Sequence, residues 1–389
     1  MFSSRLPPRL TENRVSRALR AARASGRPLI DLTVSNPTVV DIAYPAELAS
    51  ACADPAALRY DPQPFGLASA RQAVAATYGT ANPVPPDRVV LTASTSEAYS
   101  FLFKLLCDAG DEVLVPHPSY PLFELLTQLD GVRDVPYRLE RDAHWRIDRE
   151  SVLRARSART RAILVVSPNN PTGSRLDADD REWLVQFAAD HRLALISDEV
   201  FADYLLEPRP GGVSLAGEAR VLTFTLGGLS KSVGLPQMKL AWTIVSGPDA
   251  LVTEALERLA LVADSYLSVA TPVQCGVPRL LEHGAVVRSA IQARLQENLA
   301  HLHAAVRGAP AITVYPPEGG WSVVVRIPAI LSGEEIVLRL LEARGVIVHP
   351  GYFFDLDGDG FLVISLLPPP AHFARGVAEL FELVAEVGC

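Results

Sequence analysis

Six short runs rich in β-branched residues set what this chain can fold into: VVLT from residue 89, EVLVP from 112, AILVVS from 162, LALISD from 193, VLTFTL from 221 and LAWTIVSG from 240. Helical stretches at 96–109, 119–131 and 177–190 fall between them. Near-continuous apolar runs alternating with helices argue an α/β architecture, a mostly parallel sheet covered on both faces. Such sheets bind ligands beyond the carboxyl ends of their strands, so the residues at those ends form one candidate set. With 389 residues, 49% of them hydrophobic, the chain can bury this core and carry a second, smaller domain.

Composition narrows the classes. A formal net charge of -8 argues against a nucleic-acid surface over the whole molecule. Arg5, Arg9, Arg14, Arg17, Arg20, Arg23 and Arg27 crowd the N-terminus, but Glu12 interrupts them and no apolar run follows, so a solvated amphipathic helix is expected there rather than a targeting segment. No apolar stretch reaches the length of a membrane span. Cys52, Cys107, Cys275 and Cys389 are far apart, which fits a reducing, cytoplasmic setting and no structural metal. His301 and His303 do not share a helix face. Asp355, Asp357, Asp359 and Gly360 imitate the start of a calcium loop, yet Leu366 stands where a bidentate carboxylate is required, so a hairpin-like turn is expected.

At the strand ends, the first run leads into Ala93, Ser94, Thr95, Ser96 and Glu97, where hydroxyls and free N–H groups at a helix start suit either a phosphate or ordinary capping. The second presents Tyr120 on the stiff turn PHPSYPLF, and the third ends in SPNNPTG. The fourth delivers Asp198, a residue that could equally cap a helix. Beyond the fifth lies TLGGLSKSVGLPQMKLAW, residues 225–242. Of thirty-six basic residues only Lys104, Lys231 and Lys239 are lysines. A lysine kept where arginine is the default cation suggests a job a guanidinium cannot do, such as condensing a neutral amine with an aldehyde. A solvated surface lysine is the plain alternative.

GLSKSVGLPQMKLAW, together with SPNNPTG and SDEV, resembles the Schiff-base signature of the fold type I pyridoxal-phosphate (PLP) aminotransferases, and the likeness runs from SNPT to the C-terminal helix. It implies a large PLP-binding domain over 46–276. The smaller α+β domain would combine 1–45 with 277–389, the helix 277–306 bridging the two. By the resemblance Lys231 bonds the cofactor, is displaced by the incoming amine, and then moves the proton between the substrate α-carbon and the cofactor as a general base of depressed pKa. Asp198 would keep the pyridine nitrogen protonated, Asn170 would bond the cofactor's O3′ and help orient substrate, and Tyr120 would stack on the ring. Ser94, Thr95, Ser96, Ser230 and Lys239 would gather at the phosphate. Tyr60 would cross a homodimer interface to the partner's phosphate. Ser35 and the position of Val363 would face the substrate.

The chain departs from the family pattern at four places. Ser94 replaces a glycine, and Lys239 replaces an arginine, keeping the charge but losing its two-pronged contact. Phe201 replaces a tyrosine that donates to O3′, so the cofactor's bond to Lys231 should hold its proton to higher pH. Val363 falls where an arginine clamps the substrate α-carboxylate. Another group then takes that part, or the substrate lacks a carboxylate there, or the register differs. The leading expectation is amino transfer between an amino donor and a 2-oxo acid. A PLP-dependent lyase, decarboxylase or oxidase on the same scaffold stays open, as does a non-catalytic PLP or effector-binding protein.

In the small domain the sequence predicts helices at 11–25, Ser332–Arg344 with a Ser332/Glu335 capping box, and 371–387, with strands at 320–327, 346–349 and 361–367.

Overall fold

The computed structural model describes residues 2–7, 11–79, 83–142, 144–207, 213–267 and 269–388; Arg9 and Cys389 lie outside them. Its strands, in chain order, are β1 (Ile30–Asp31), β2 (Val89–Thr92), β3 (Glu112–His117), β4 (Arg133–Arg141), β5 (Trp145–Ile147), β6 (Thr160–Val166), β7 (Ala194–Asp198), β8 (Thr223–Gly228), β9 (Ala241–Ser246), β10 (Thr313–Tyr315), β11 (Ser322–Arg326), β12 (Val346–Ile347), β13 (His349–Pro350) and β14 (Phe361–Ser365). Eight form one sheet in the order β2-β9-β8-β7-β6-β3-β4-β5. From β8 to β4 all neighbours are parallel, while β9 runs antiparallel between β2 and β8 and β5 closes the other edge antiparallel.

Both faces of this sheet are covered, which is why its strands read as unbroken apolar runs. Val113, Val115, Ala162 and Leu164 pack with the helices Thr95–Leu106 and Asp249–Tyr266, whereas Leu114, Ile163 and Val165 pack on the opposite face with the helix Ala178–His191. The sequence reading missed β4, β5 and the helix Asp249–Tyr266. Strand β4 reads RDVPYRLER; β5 pairs with it only over Leu139–Arg141, so the rest of its outer side is open and shows charged residues to solvent, the opposite of an apolar run. The missed helix did carry a signal: its buried Val252, Ala255, Leu259 and Ala263 recur at helical spacing.

The bridging helix spans Thr271–Val306 and so begins earlier than the expected residue 277. Gly276 and Pro278 look like a break in the sequence, but Pro278 is held inside the helix. Gly276 lets the helix approach its neighbour: a Cβ there would lie 3.0 Å from Cys52 Sγ and 3.1 Å from the Ala51 carbonyl oxygen.

In the smaller unit β10-β11-β14-β13 form an antiparallel sheet, and β1 from the N-terminal segment pairs in parallel with β12. The expected single strand 346–349 is two short strands, β12 and β13, in different sheets. The capping box at Ser332 and Glu335 starts the helix Gly333–Arg339, and the chain continues as a wider π turn to Arg344. Loop 351–360 joins β13 to its antiparallel partner β14 through a 3-10 turn, a long hairpin. Among the described residues no helix is long and apolar enough to cross a membrane.

Candidate active site

Strand register brings the candidate residues to one rim. Thr92, the last residue of β2, pairs with Ala241 at the start of β9, and Ala241 also pairs with Gly228 at the end of β8. Residues 93–96, Ser230–Lys231 and Lys239 therefore leave the sheet side by side. Ser94 caps the helix Thr95–Leu106 by accepting from the Glu97 N–H at 3.1 Å, and Glu97 returns a bond from the Ala93 N–H at 2.7 Å. Capping thus occupies Ser94 as an acceptor, while among the described residues the hydroxyls of Thr95 and Ser96 are unpaired side-chain donors at the helix's positive end. Lys239 is exposed and holds a left-handed backbone, φ 50°.

Lys231 sits in a one-turn helix, Leu229–Ser232, pinned from several sides. Tyr204 donates to the Lys231 carbonyl at 2.6 Å, Tyr44 donates to that of Gly234 at 2.7 Å, and the Leu229 N–H bonds Leu240 O at 3.0 Å. The Lys231 Nζ lies 4.6 Å from the Trp321 ring centre and 5.4 Å from that of Phe201. Burial lowers its pKa to about 8 against the opposing pull of the Asp198 charge, so a sizeable share of the amine is neutral near physiological pH. Lys231 is therefore no solvated surface lysine.

Asp198 ends β7 in the interior. Its Oδ2 accepts from Tyr99 at 2.7 Å and its Oδ1 from the Val200 N–H at 3.2 Å. Burial raises its pKa while both hydrogen bonds and Lys231 oppose that rise. Tyr120 is 40% exposed; burial and then the Asp198 charge raise its phenol pKa, so the two groups are neighbours. In SPNNPTG the first asparagine is structural: Asn169 accepts from the Thr172 hydroxyl at 3.0 Å and donates to Ser119 at 3.2 Å. The Asn170 amide has no hydrogen-bond partner among the described residues and is only partly buried. The turn is clasped by the N–H groups of Glu318 and Gly319, which both bond Gly173 O. Gly173 is obligatory, with φ +69° and a would-be Cβ 2.4 Å from Pro317 Cβ.

Among the described residues, three predicted ones share no hydrogen bond or ring contact with this group. Tyr60 is 77% exposed, and Ser35 lies exposed in the turn after β1. Val363 is 1% exposed, packed with Tyr315, Val324, Phe354 and Leu356, and offers no surface to a ligand in this conformation. A cavity of about 1040 Å³ opens further along the same rim, under loop 351–360, lined by His117, Arg138, Trp145, Tyr352, Asp355 and Phe361 and not by Lys231. Sequence reasoning missed Tyr99, Tyr204 and Trp321. Tyr99 lies on the buried face of its helix, where it reads as core. Trp321 follows the glycine pair 319–320, and that pair was the one available signal of a close approach.

This fold and rim define a cofactor-dependent enzyme of amino-group chemistry. Residues 28–377 match the model of the aminotransferase class I and II family, and the chain belongs to that family. It is similar to an alanine aminotransferase of Mycobacterium tuberculosis, 28% identical over 81% of this chain and 76% of the relative. Similarity to the glutamate-pyruvate aminotransferase of Haemophilus influenzae is 28% over 82% and 81%. The solved alanine aminotransferase from Pyrococcus furiosus superimposes with TM-score 0.87 at 26% identity, covering 99% of this chain and 100% of that one. The protein is a pyridoxal-phosphate-dependent aminotransferase of fold type I.

The residues present fit that cofactor. A lysine amine whose pKa lies at about 8 can bond an aldehyde, a buried carboxylate with donors on both oxygens can face a ring nitrogen, the Asn170 amide is uncommitted, and two hydroxyls stand at a helix N-terminus.

Proposed function

We propose that Lys231 is the amine that holds the cofactor and the base that moves the substrate proton, and that this chain transfers the amino group of an amino acid or amine to a 2-oxo acid. The observation that carries this reading is the Lys231 amine itself, its pKa brought to about 8 by burial at a rim shared with Asp198. Pyridoxal phosphate supplies an aldehyde that takes the amino group and a ring that accepts the electron pair left on carbon. Asp198 holds a proton on the ring nitrogen, Tyr120 covers a ring face, and Asn170 orients the ring oxygen. Thr95, Ser96, Ser230 and Lys239 take the phosphate, with Ser94 contributing its hydroxyl proton. Trp321 and Phe201 form an apolar wall that keeps water from the Lys231 amine. Mixing the yellow protein with alanine, glutamate and simple amines should convert it to the amino form of the cofactor, and a 2-oxo acid should reverse the change. Ammonia release without that conversion would favour elimination or oxidation instead.

Val363 sits in an apolar cluster, so no cation clamps a carboxylate at that position. The protein should therefore discriminate weakly between an α-amino acid and the amine lacking its carboxylate. We expect kcat/KM ratios within about tenfold, where a desolvated charge pair would contribute roughly 2–5 kcal/mol of preference. A preference above about a thousandfold for the amino acid would show that another cation takes that part.

The Phe201 ring stands 5.4 Å from the Lys231 Nζ and carries no donor. Phe201→Tyr returns one, and a hydrogen bond to a charged oxygen is worth about 1.5–3 kcal/mol. The proton shared between Lys231 and the cofactor should then leave about one to two pH units lower. A visible-absorbance titration of both proteins reads this directly, and identical midpoints would refute it.

A homodimer is part of this proposal. Leu58, Tyr60, Leu261, Tyr266 and Leu267 are large and exposed, and Tyr60 and Leu267 line one shallow cavity with Leu91 and Gln274. A second copy covering this patch would bring Tyr60 to its neighbour's phosphate. Sedimentation of Tyr60→Phe, beside a measurement of its cofactor affinity, separates assembly from phosphate binding.

A further inference from the structure

Asp198 does not face the ring nitrogen alone, because a buried phenol has already claimed one of its oxygens. The Tyr99 hydroxyl donates to Oδ2 at 2.7 Å from the helix Thr95–Leu106, the element whose N-terminus is the candidate phosphate site. We propose that Tyr99 is a positioning residue for the reaction: its hydrogen bond sets the basicity and orientation of Asp198, and so decides how fully the cofactor's ring nitrogen keeps its proton. The inference rests on the assignment of Asp198 to that nitrogen.

The geometry leaves Tyr99 little other part to play. Its ring is stacked near Phe103, centroids 6.1 Å apart at 27°, and meets Phe123 edge-on at 5.4 Å and 75°. Phe123 in turn meets Tyr120 edge-on at 5.8 Å and 82°. One apolar wedge, Phe123, thus lies between the phenol that holds Asp198 and the aromatic assigned to the cofactor's ring face. Burial and the Asp198 charge push the Tyr99 pKa far above its ordinary value, so the phenol stays a donor at every working pH.

The sign of the effect follows. A carboxylate that loses a donor becomes more basic, and here it would draw the proton from the ring nitrogen towards itself. A ring without that charge is a poorer acceptor for the electron pair of the substrate carbon. The consequence falls on the proton-transfer step rather than on capture of the amino donor.

Tyr99→Phe removes the hydroxyl and keeps the ring contacts. On the holoprotein loaded with 15N-labelled pyridoxal phosphate, the nitrogen resonance should move towards that of an unprotonated pyridine. The kcat of the half-reaction should fall about tenfold or more, with the KM for the amino donor little changed. Incorporating 3,5-difluorotyrosine at position 99, a stronger donor of nearly the same size, should move the resonance the other way. Phe123→Leu, which keeps the hydroxyl, should leave the resonance in place. An unshifted resonance in both Tyr99 replacements, or a Tyr99→Phe defect confined to KM, overturns the proposal. A wild-type protein with no visible band of bound cofactor would instead overturn the reading on which it rests.

Discussion

Replacing Lys231 with arginine should abolish the visible band of the holoprotein and reduce amino transfer by about 10⁴-fold or more. Arginine keeps the positive charge and most of the length, so what the substitution removes is the ability to become a neutral amine. Catalytic proton transfer by a positioned side chain is worth about 10²–10⁴-fold, and loss of the covalent attachment adds to it. The pH dependence is specific as well. The amine's pKa lies at about 8, below the ordinary lysine value of 10.5. Capture of pyridoxal phosphate by the cofactor-free protein should therefore rise with pH through a midpoint near 8 and not near 10.5. The stability sign agrees: the unfolded chain binds this proton more tightly, so folding stability gains from this residue as pH rises from about 8 towards 10.5. Pyridoxal phosphate that still bonded a side chain of the Lys231→Arg protein would have to use Lys104 or Lys239.

Asp198→Ala should cost the reaction roughly 10²–10⁴-fold, matching the 3–5 kcal/mol typical of breaking a buried charge pair by removing one partner. The carboxylate lies inside the protein with Tyr99 and the Val200 N–H as its donors. Its loss takes the counter-charge from the ring nitrogen and leaves both donors without an acceptor, each at a cost of about 1–3 kcal/mol. Two measurements separate these effects. Thermal unfolding of the cofactor-free protein reads the stranded donors. Reloading the variant with an N-methylated cofactor, whose ring charge is fixed, should restore much of the rate. Failure of that rescue in a folded, loaded variant would mean that Asp198 does not work through the ring charge.

The large sheet was legible because its interior strands are buried on both faces and so read as plain apolar runs. Strands β4 and β5, at the exposed end of the sheet, were not, since exposure there selects charges and leaves no run to see, whereas the opposite edge strand β2 is buried and was legible. The bridging helix begins at Thr271, earlier than the expected residue 277. Gly276 marks close packing against Ala51 and Cys52 rather than a break, and only the partner's position reveals it. Residues defined by chemistry, Lys231, Asp198 and the NPTG turn, stood out by type and by place at strand ends. Tyr99 and Trp321 did not. Their part depends on which distant group they meet, Asp198 across the sheet face for one and the Lys231 amine for the other, and no local spacing encodes a contact of that range. Val363 shows a different limit. Its substitution is plain in the sequence, but only the fold shows that the position has become part of an apolar cluster with Tyr315 and Phe354.

Borohydride reduction of the holoprotein followed by peptide mapping tests the central claim most directly, since it fixes the cofactor to whichever amine holds it. The chain's three lysines, Lys104, Lys231 and Lys239, leave three side-chain answers. The account predicts a single phosphopyridoxyl group on the peptide that contains LSKSVGLP, at Lys231. A modification confined to Lys104 or Lys239, or none on a protein that binds the cofactor, would contradict it.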